Sequence, residues 1–235
     1  MYCFDSRIRY SETDSEGRLT LPALLNYFQD SSTFHSEDLG VGVNYMKANG
    51  QAWVLAAWQV VINRMPVFGE TVEVGTAPYD FKGFIGSRNF WLKDSEGNYL
   101  AKANSVWSLL DMESGRPVTA SREIIDTYGM DPKLDMEYAP RKIIVSGEGM
   151  QETPVIVRKQ HLDTNLHVNN GQFVSIAMDY VPEDFEVKQL RVEYRQQAFL
   201  DDILYPVVFR EEGKLTVVLN DDKGKPYVVA ELAAE

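Results

Sequence analysis

The chain has one cysteine, Cys3, and three histidines. A single thiol excludes an intramolecular disulfide, so the cysteine content does not speak for an oxidising compartment. With so few imidazoles, chemistry that needs a side chain titrating near neutral pH has only His35, His161 and His167 to draw on. Long apolar runs are missing too. No stretch approaches the ~20 apolar residues of a membrane-spanning helix, and Met-Tyr-Cys-Phe-Asp-Ser-Arg at the start forms no signal segment. The expectation is a cytoplasmic protein with no membrane partner. Positive charge is scarce: 23 Lys and Arg stand against 35 Asp and Glu, a net charge of −12. A nucleic-acid backbone would be repelled, which excludes that class of partner. What is present is ordinary for a globular chain. The 235 residues are 44% hydrophobic and 25% charged, enough for one large or two small domains with a sizeable core.

The densest chemistry lies at 161–182. Asp163, Asn165 and His167 alternate, and a helix is predicted to begin at once, with Asn169 or Asn170 as N-cap. Phe173, Ile176, Ala177 and Tyr180 form its apolar face, and Pro182 bounds it. A carboxylate, an amide and an imidazole thus meet beside a helix N-terminus. There, backbone N–H groups of Asn170 and Gly171 can hold a developing oxyanion. The set suits acyl transfer to water. His167 can take a proton from water. Asn165 can place that water or orient the ring. Asp163 is either the nucleophile or the charge that fixes the network. Gly171 leaves room for close approach of a substrate. Capping alone accounts for Asn169, Asn170 and Asp163, but not for His167. His161, Asp163 and His167 taken as metal ligands match no ligand spacing, so neither metal nor cofactor is expected.

The motif has a faded copy upstream. Glu12–Asp30 laid over His161–Asp179 puts Asp14 on Asp163, Glu16 on Asn165, Arg18 on His167 and Leu24 on Phe173. A first helix is predicted from about Thr20, with Pro22 in its first turn, Leu24, Leu25, Tyr27, Phe28 and Phe34 along it, and Gly40 as stop. Alternation at Thr71–Val74, Asn89–Lys93 and Arg191–Arg195 predicts strands. Turns at Asp94–Asn98, Glu211–Lys214 and Asp221–Lys225 predict antiparallel hairpins. A helix followed by antiparallel strands, twice, is α+β. The expected division is residues 1–133, a linker at 134–150, and residues 151–235. Arg18 cannot act as a base, so the second half is expected to carry the chemistry. Trp53, Trp58, Trp91 and Trp107 are expected in the core or around a ligand pocket. His35 is read as structural or surface, Arg88 as the partner of an acid across the sheet, and Cys3 as a bystander.

Asp-x-Asn-x-His-Val-Asn-Asn before an amphipathic helix resembles the catalytic segment of the acyl-ACP thioesterases. Trp53-Val54, Ile62-Asn63-Arg64-Met65-Pro66 and Gly86-Ser87-Arg88-Asn89-Phe90-Trp91 resemble that family's first half, and Val192-Glu193-Tyr194-Arg195 the strand after its catalytic helix. The resemblance implies a tandem double hotdog, each half a long helix wrapped by an antiparallel sheet. The first half would form the acyl pocket and the second the catalytic site, with Asp163, Asn165 and His167 carried over as catalytic residues. It also implies a fatty acyl-ACP hydrolase with acyl carrier protein as partner, working as a monomer or homodimer. The family often has a glutamate shortly after the Tyr-Arg pair. Here Gln197 stands in its place, able to orient the site but not to act as a base. An acidic carrier meeting an acidic chain calls for a local basic patch, with Arg141, Lys142, Arg158, Lys159, Lys188, Arg191 and Arg195 as candidates. Hydrolysis of acyl-CoA on the same fold, a non-catalytic acyl-thioester sensor and a dehydratase are the alternatives.

Overall fold

The structure is a computed structural model and describes residues 1–234. The chain divides into two units, 1–56 with 62–138, and 57–61 with Ala139 onward. Residues 134–150 are thus shared out between the units at Tyr138 and Ala139.

The first unit runs β1 (Tyr2–Arg7), α1 (Leu21–Asp38), α2 (Val43–Ala48), the start of β2 (Gln51–Ile62), β3 (Thr71–Lys82), β4 (Ile85–Asp94), β5 (Tyr99–Asp111) and α3 (Arg122–Tyr128). Its sheet is antiparallel, in the order β1-β3-β4-β5. Thr20 begins α1 as expected, its hydroxyl accepting from the Ala23 N–H at 3.4 Å. Leu24 and Phe28 are fully buried, and the Phe28 ring lies 5.5 Å from Phe90 of β4. Gly40, at φ 73°, turns the chain out of the helix. Phe34 lies on the helix as expected but not on its buried face. The buried face is carried by Leu24, Phe28, Ser31 and His35, one residue round the helix, and Phe34 is exposed with its ring edge-on to Phe4 at 5.7 Å. After α1 the chain forms α2, whose Met46 packs with Leu109, Ile124 and Tyr128.

The second unit contains β6 (Met150–Gln151), β7 (Val155–Ile156), α4 (Asn170–Met178), β8 (Gln189–Tyr194), β9 (Ile203–Glu211), β10 (Lys214–Asn220) and β11 (Pro226–Ala233). Its antiparallel order is residues 57–61 of β2, then β8-β11-β10-β9-β6, with β7 also on β9. Helix α4 packs against β11, while Ile143 packs with Val218 and Val229. The expected long second helix is half the length of the first. It ends at Met178 and leaves Tyr180 in the following turn. Pro182 is the cause: it bars helical geometry at Val181 and cannot donate to the turn behind it. Among the described residues, no helix is long and apolar enough to cross a membrane.

Candidate active site

The upstream copy and the motif itself have one backbone design. Each begins with a single 3-10 turn, Tyr10–Glu12 or Lys159–His161. A bridge then closes the loop, Thr13 to Leu19 or Leu162 to Val168. Inside it, the Oδ1 of one aspartate accepts two backbone N–H groups. Asp14 takes Glu16 and Arg18, both at 2.9 Å. Asp163 takes Asn165 at 2.8 Å and His167 at 3.2 Å. The loop returns through Thr20 N–H to Glu12 O, or Asn169 N–H to His161 O, both at 2.9 Å.

The same aspartate staple recurs in two hairpins that have no part in this site. Asp94 holds the N–H groups of Glu96 and Asn98, and Asp221 those of Lys223 and Lys225. The third residue after the aspartate is Gly17, Gly97 and Gly224 in three of these loops, all at positive φ. In the fourth it is Leu166, at φ 63° and 71% exposed. A non-glycine residue there is strained, and such strain collects at functional sites.

The helix N-terminus is partly occupied by its own cap. Gly171 N–H goes to Asn169 Oδ1 at 2.8 Å, and Gln172 N–H to Asn169 O at 2.9 Å. The Asn170 N–H is the first-turn donor with no bond among the described residues. This narrows the expected oxyanion pair to one free donor, because the cap consumes the Gly171 N–H. The Tyr194 hydroxyl donates to Asn170 O at 3.0 Å and so holds the Asn170–Gly171 peptide. Burial raises the pKa of Tyr194 and keeps it a donor.

His167 is half-buried, its ring edge-on to Phe199 at 4.9 Å. Neither ring nitrogen of His167, nor the exposed Asn165 amide, has a protein partner among the described residues. Val168 N–H to Ala198 O, 2.9 Å, ties the loop to the segment after β8. In that segment Gln197 is exposed and stands two residues before Phe199, whose ring packs on His167. The His161 Nδ1 is taken by the Arg158 N–H at 3.0 Å. Among the described residues, no three His, Cys, Asp or Glu side chains are grouped to hold a metal ion. His161, Leu166, Tyr194 and Phe199 thus join the site from outside the motif's alternating set. The glycines of the sister loops were the signal for Leu166, whereas Phe199 had none.

Elsewhere, His35 is buried and held neutral, its pKa lowered to about 4 by burial and by Arg88. Arg88 has no acid partner across the sheet among the described residues. Its Nη1 donates to His35 Nδ1 at 3.1 Å and lies 3.4 Å from the Thr76 hydroxyl, and its guanidinium stands 5.3 Å over the Tyr128 ring. Burial lowers its pKa to about 10. An imidazole and a ring face can meet a buried cation without also having to be desolvated as ions. Trp58 and Trp91 are buried, while the Trp53 indole nitrogen is buried without a partner among the described residues. Three of the seven basic candidates are engaged: Arg191 with Glu231, Arg195 with Glu193 and Lys188 with Glu186. Arg141, Lys142, Arg158 and Lys159 are exposed.

Known proteins resemble this chain in sequence and in fold. Residues 2–128 match the acyl-ACP thioesterase N-terminal domain, and residues 146–228 the C-terminal domain. The chain is 28% identical over 218 residues to the chloroplastic acyl-[acyl-carrier-protein] hydrolase FATB1 of Cuphea viscosissima, covering 85% of this chain and 52% of the relative. It is 25% identical to the chloroplastic oleoyl-acyl carrier protein thioesterase 1 of Arabidopsis thaliana, covering 84% and 60%. The chain therefore spans little more than half the length of these relatives. An acyl-ACP thioesterase structure from Bacteroides thetaiotaomicron superposes with TM-score 0.90 at 21% identity, over 98% of this chain and 96% of that one. The 12:0-ACP thioesterase from Umbellularia californica gives 0.86 at 22%, over 99% and 96%. The shared architecture is the α+β tandem hotdog. With both of its domain models matched in order along the sequence, this chain belongs to the acyl-ACP thioesterase family.

Proposed function

We propose that this protein hydrolyses fatty acyl-ACP to free fatty acid and acyl carrier protein, with the loop 163–170 as its reacting centre. One observation carries the reading. Two loops of the same backbone differ in what they present, and one alone offers an imidazole with no protein partner. His167 takes a proton from water as its oxygen bonds to the thioester carbonyl carbon. The Asn165 amide holds that water. The Asn170 N–H donates to the carbonyl oxygen as it becomes negative. When the carbon–sulfur bond breaks, His167 returns its proton to the departing thiolate. Asp163, its Oδ1 spent on two backbone N–H groups, keeps the loop in shape, and Gln197 orients the set from the segment that packs on His167. The first unit holds the acyl chain.

The carrier is recognised through exposed basic residues, drawn from Arg141, Lys142, Arg158 and Lys159. A cytoplasmic location belongs to the same reading and rests on cysteine usage. The relatives' names motivate the substrate, since they are acyl-[acyl-carrier-protein] hydrolases. The test is thiol release from acyl-ACP and acyl-CoA of several chain lengths. Turnover of acyl-ACP is expected, reduced by orders of magnitude in His167→Ala. Turnover of CoA thioesters with acyl-ACP inert would make the protein an acyl-CoA thioesterase. Binding without thiol release would make it an acyl-thioester sensor, and loss of water from a β-hydroxyacyl substrate a dehydratase.

A further inference from the structure

The two 3-10 turns that lead into the twin loops are closed by different acceptors. In the first, Glu12 N–H bonds to Arg9 O at 3.1 Å, and Arg9 N–H returns to Glu12 Oε2 at 2.9 Å. In the second, His161 N–H bonds to Arg158 O at 2.9 Å, and Arg158 N–H returns to His161 Nδ1 at 3.0 Å. The main-chain pattern is the same, but an imidazole does the work of a carboxylate. A carboxylate has two oxygens, and Glu12 uses Oε2 a second time, for the Tyr27 hydroxyl at 2.7 Å. An imidazole has one acceptor nitrogen, and only while it is neutral. The residue equivalent to Tyr27 is Ile176, which offers no hydroxyl.

We infer that His161 is a positioning residue for hydrolysis, holding the loop that carries His167 only in its neutral form with the proton on Nε2. This rests on the site assignment proposed above. Residue 161 ties the loop twice. Its ring closes the entry turn, and its carbonyl accepts the N–H of Asn169, the cap of α4. Protonation at Nδ1 turns the acceptor into a donor, which then faces the Arg158 N–H. The entry turn opens and the registry of Asp163, Asn165 and His167 against Asn170 is lost. The first loop is closed without an imidazole, by a carboxylate oxygen of Glu12. The groups around the ring are mixed in sign. Arg158 and Lys159 belong to the turn itself, and Asp163 and His167 to the loop. Asp201 and Asp202 lie in the segment whose backbone bonds to Val157 just before the turn. Apart from the Arg158 backbone N–H, none of them donates to or accepts from the His161 ring among the described residues.

The molecule supplies its own replacement, since position 12 shows that glutamate closes this turn. The test compares wild type, His161→Ala, His161→Glu and His161→Gln as full chains, reading kcat and KM for acyl-ACP against pH and the exchange protection of the Arg158 amide. His161→Ala should lose that protection and about 10- to 100-fold in kcat, the scale of a misplaced reacting group, with little change in KM. His161→Glu and His161→Gln keep an acceptor and should restore both. In wild type the acid limb of log kcat should steepen toward a two-proton slope; in the Glu and Gln variants it should show one. Nitrogen-15 shifts of His161 should report the Nε2–H tautomer, with Arg158 protection lost as the ring protonates. Wild-type kcat and a wild-type acid limb in His161→Ala would overturn the proposal, as would failure of both Glu and Gln to restore activity while folded. If His167→Ala is itself fully active, the site assignment has failed; the Arg158 amide and His161 tautomer then still decide whether the ring closes the turn.

Discussion

The loops at 12–20 and 161–169 have the same turn, bridge, aspartate staple and return to a helix cap, yet they present different chemistry. The first shows Glu16 and Arg18, locked to each other in an ion pair. The second shows Asn165 and His167, whose side chains bond to no other described residue. The difference separates two jobs that a motif blends. Asp163 and Asn169 bond to backbone N–H groups as their counterparts Asp14 and Thr20 do. On the function proposed above they belong to the frame, and His167 and Asn165 to the chemistry.

The most severe way to break that division is His167→Ala. It should reduce kcat by about 10²- to 10⁴-fold, the usual worth of general acid–base assistance, with an unchanged circular dichroism spectrum. Glu16→Ala in the twin loop should leave turnover intact. If Glu16→Ala stopped hydrolysis with substrate affinity preserved, the first loop would have to be counted as catalytic.

Asp163 sharpens the comparison. Removing its carboxylate strands two loop N–H groups, and Asp163→Ala should lower kcat by about 100-fold through displacement of the reacting groups. Asp163→Asn keeps the accepting oxygen and should recover most of that loss. An asparagine variant as dead as His167→Ala would mean that the charge itself, or a nucleophilic oxygen, is used. Asp14→Ala should cost about 1 kcal/mol per lost bond in urea unfolding and leave kcat alone.

Stability against pH tests the burial of His35 in the first unit. His35 is buried neutral with its pKa lowered from 6.5 to about 4. The unfolded chain therefore binds the extra proton first, between those values, so stability present above pH 6.5 drains away as pH falls toward 4. His35→Gln should flatten the unfolding midpoint over that window. An unchanged slope would mean that His35 takes up its proton equally in the folded and unfolded chain.

The smallest effect concerns the carrier. With Arg191, Arg195 and Lys188 paired internally, steering falls to Arg141, Lys142, Arg158 and Lys159. KM for acyl-ACP should rise modestly with salt, since exposed charges are screened beyond ~10 Å at 0.1 M. A small neutral thioester should barely respond. Equal responses would exclude a basic docking patch.

The duplication was legible in the sequence because it is written in residues with strong backbone preferences, Asp14 and Asp163, Gly17, Thr20 and Asn169. The hairpins at Asp94–Asn98 and Asp221–Lys225 were legible for the same reason. The end of α4 was not, because an apolar face continues to Tyr180 while Pro182 acts backward on the helix. Arg88 was misassigned because a buried arginine is conventionally matched to an acid, and its real partner, His35, is 53 residues away. The role of Asp163 was ambiguous because a loop staple and a catalytic carboxylate read alike; Asp94 and Asp221, in loops without chemistry, tip it toward the staple. Phe199 against His167 depends on how the chain returns after β8, which no local pattern encodes.

Leu166 sits where three sister loops have glycine, with a left-handed backbone that costs an L-residue about 1–2 kcal/mol and a side chain that is 71% exposed. No packing in the described fold explains its retention. A library randomised at this one position would therefore meet two opposed pressures. Sorted for resistance to heat or protease, it should enrich glycine and asparagine, the residues that enter this backbone region most readily. Sorted for turnover, it should return leucine or a comparable apolar residue. The gap between the two winners would measure, in units of selection rather than structure, how much stability the site gives up to keep an apolar side chain beside its reacting groups.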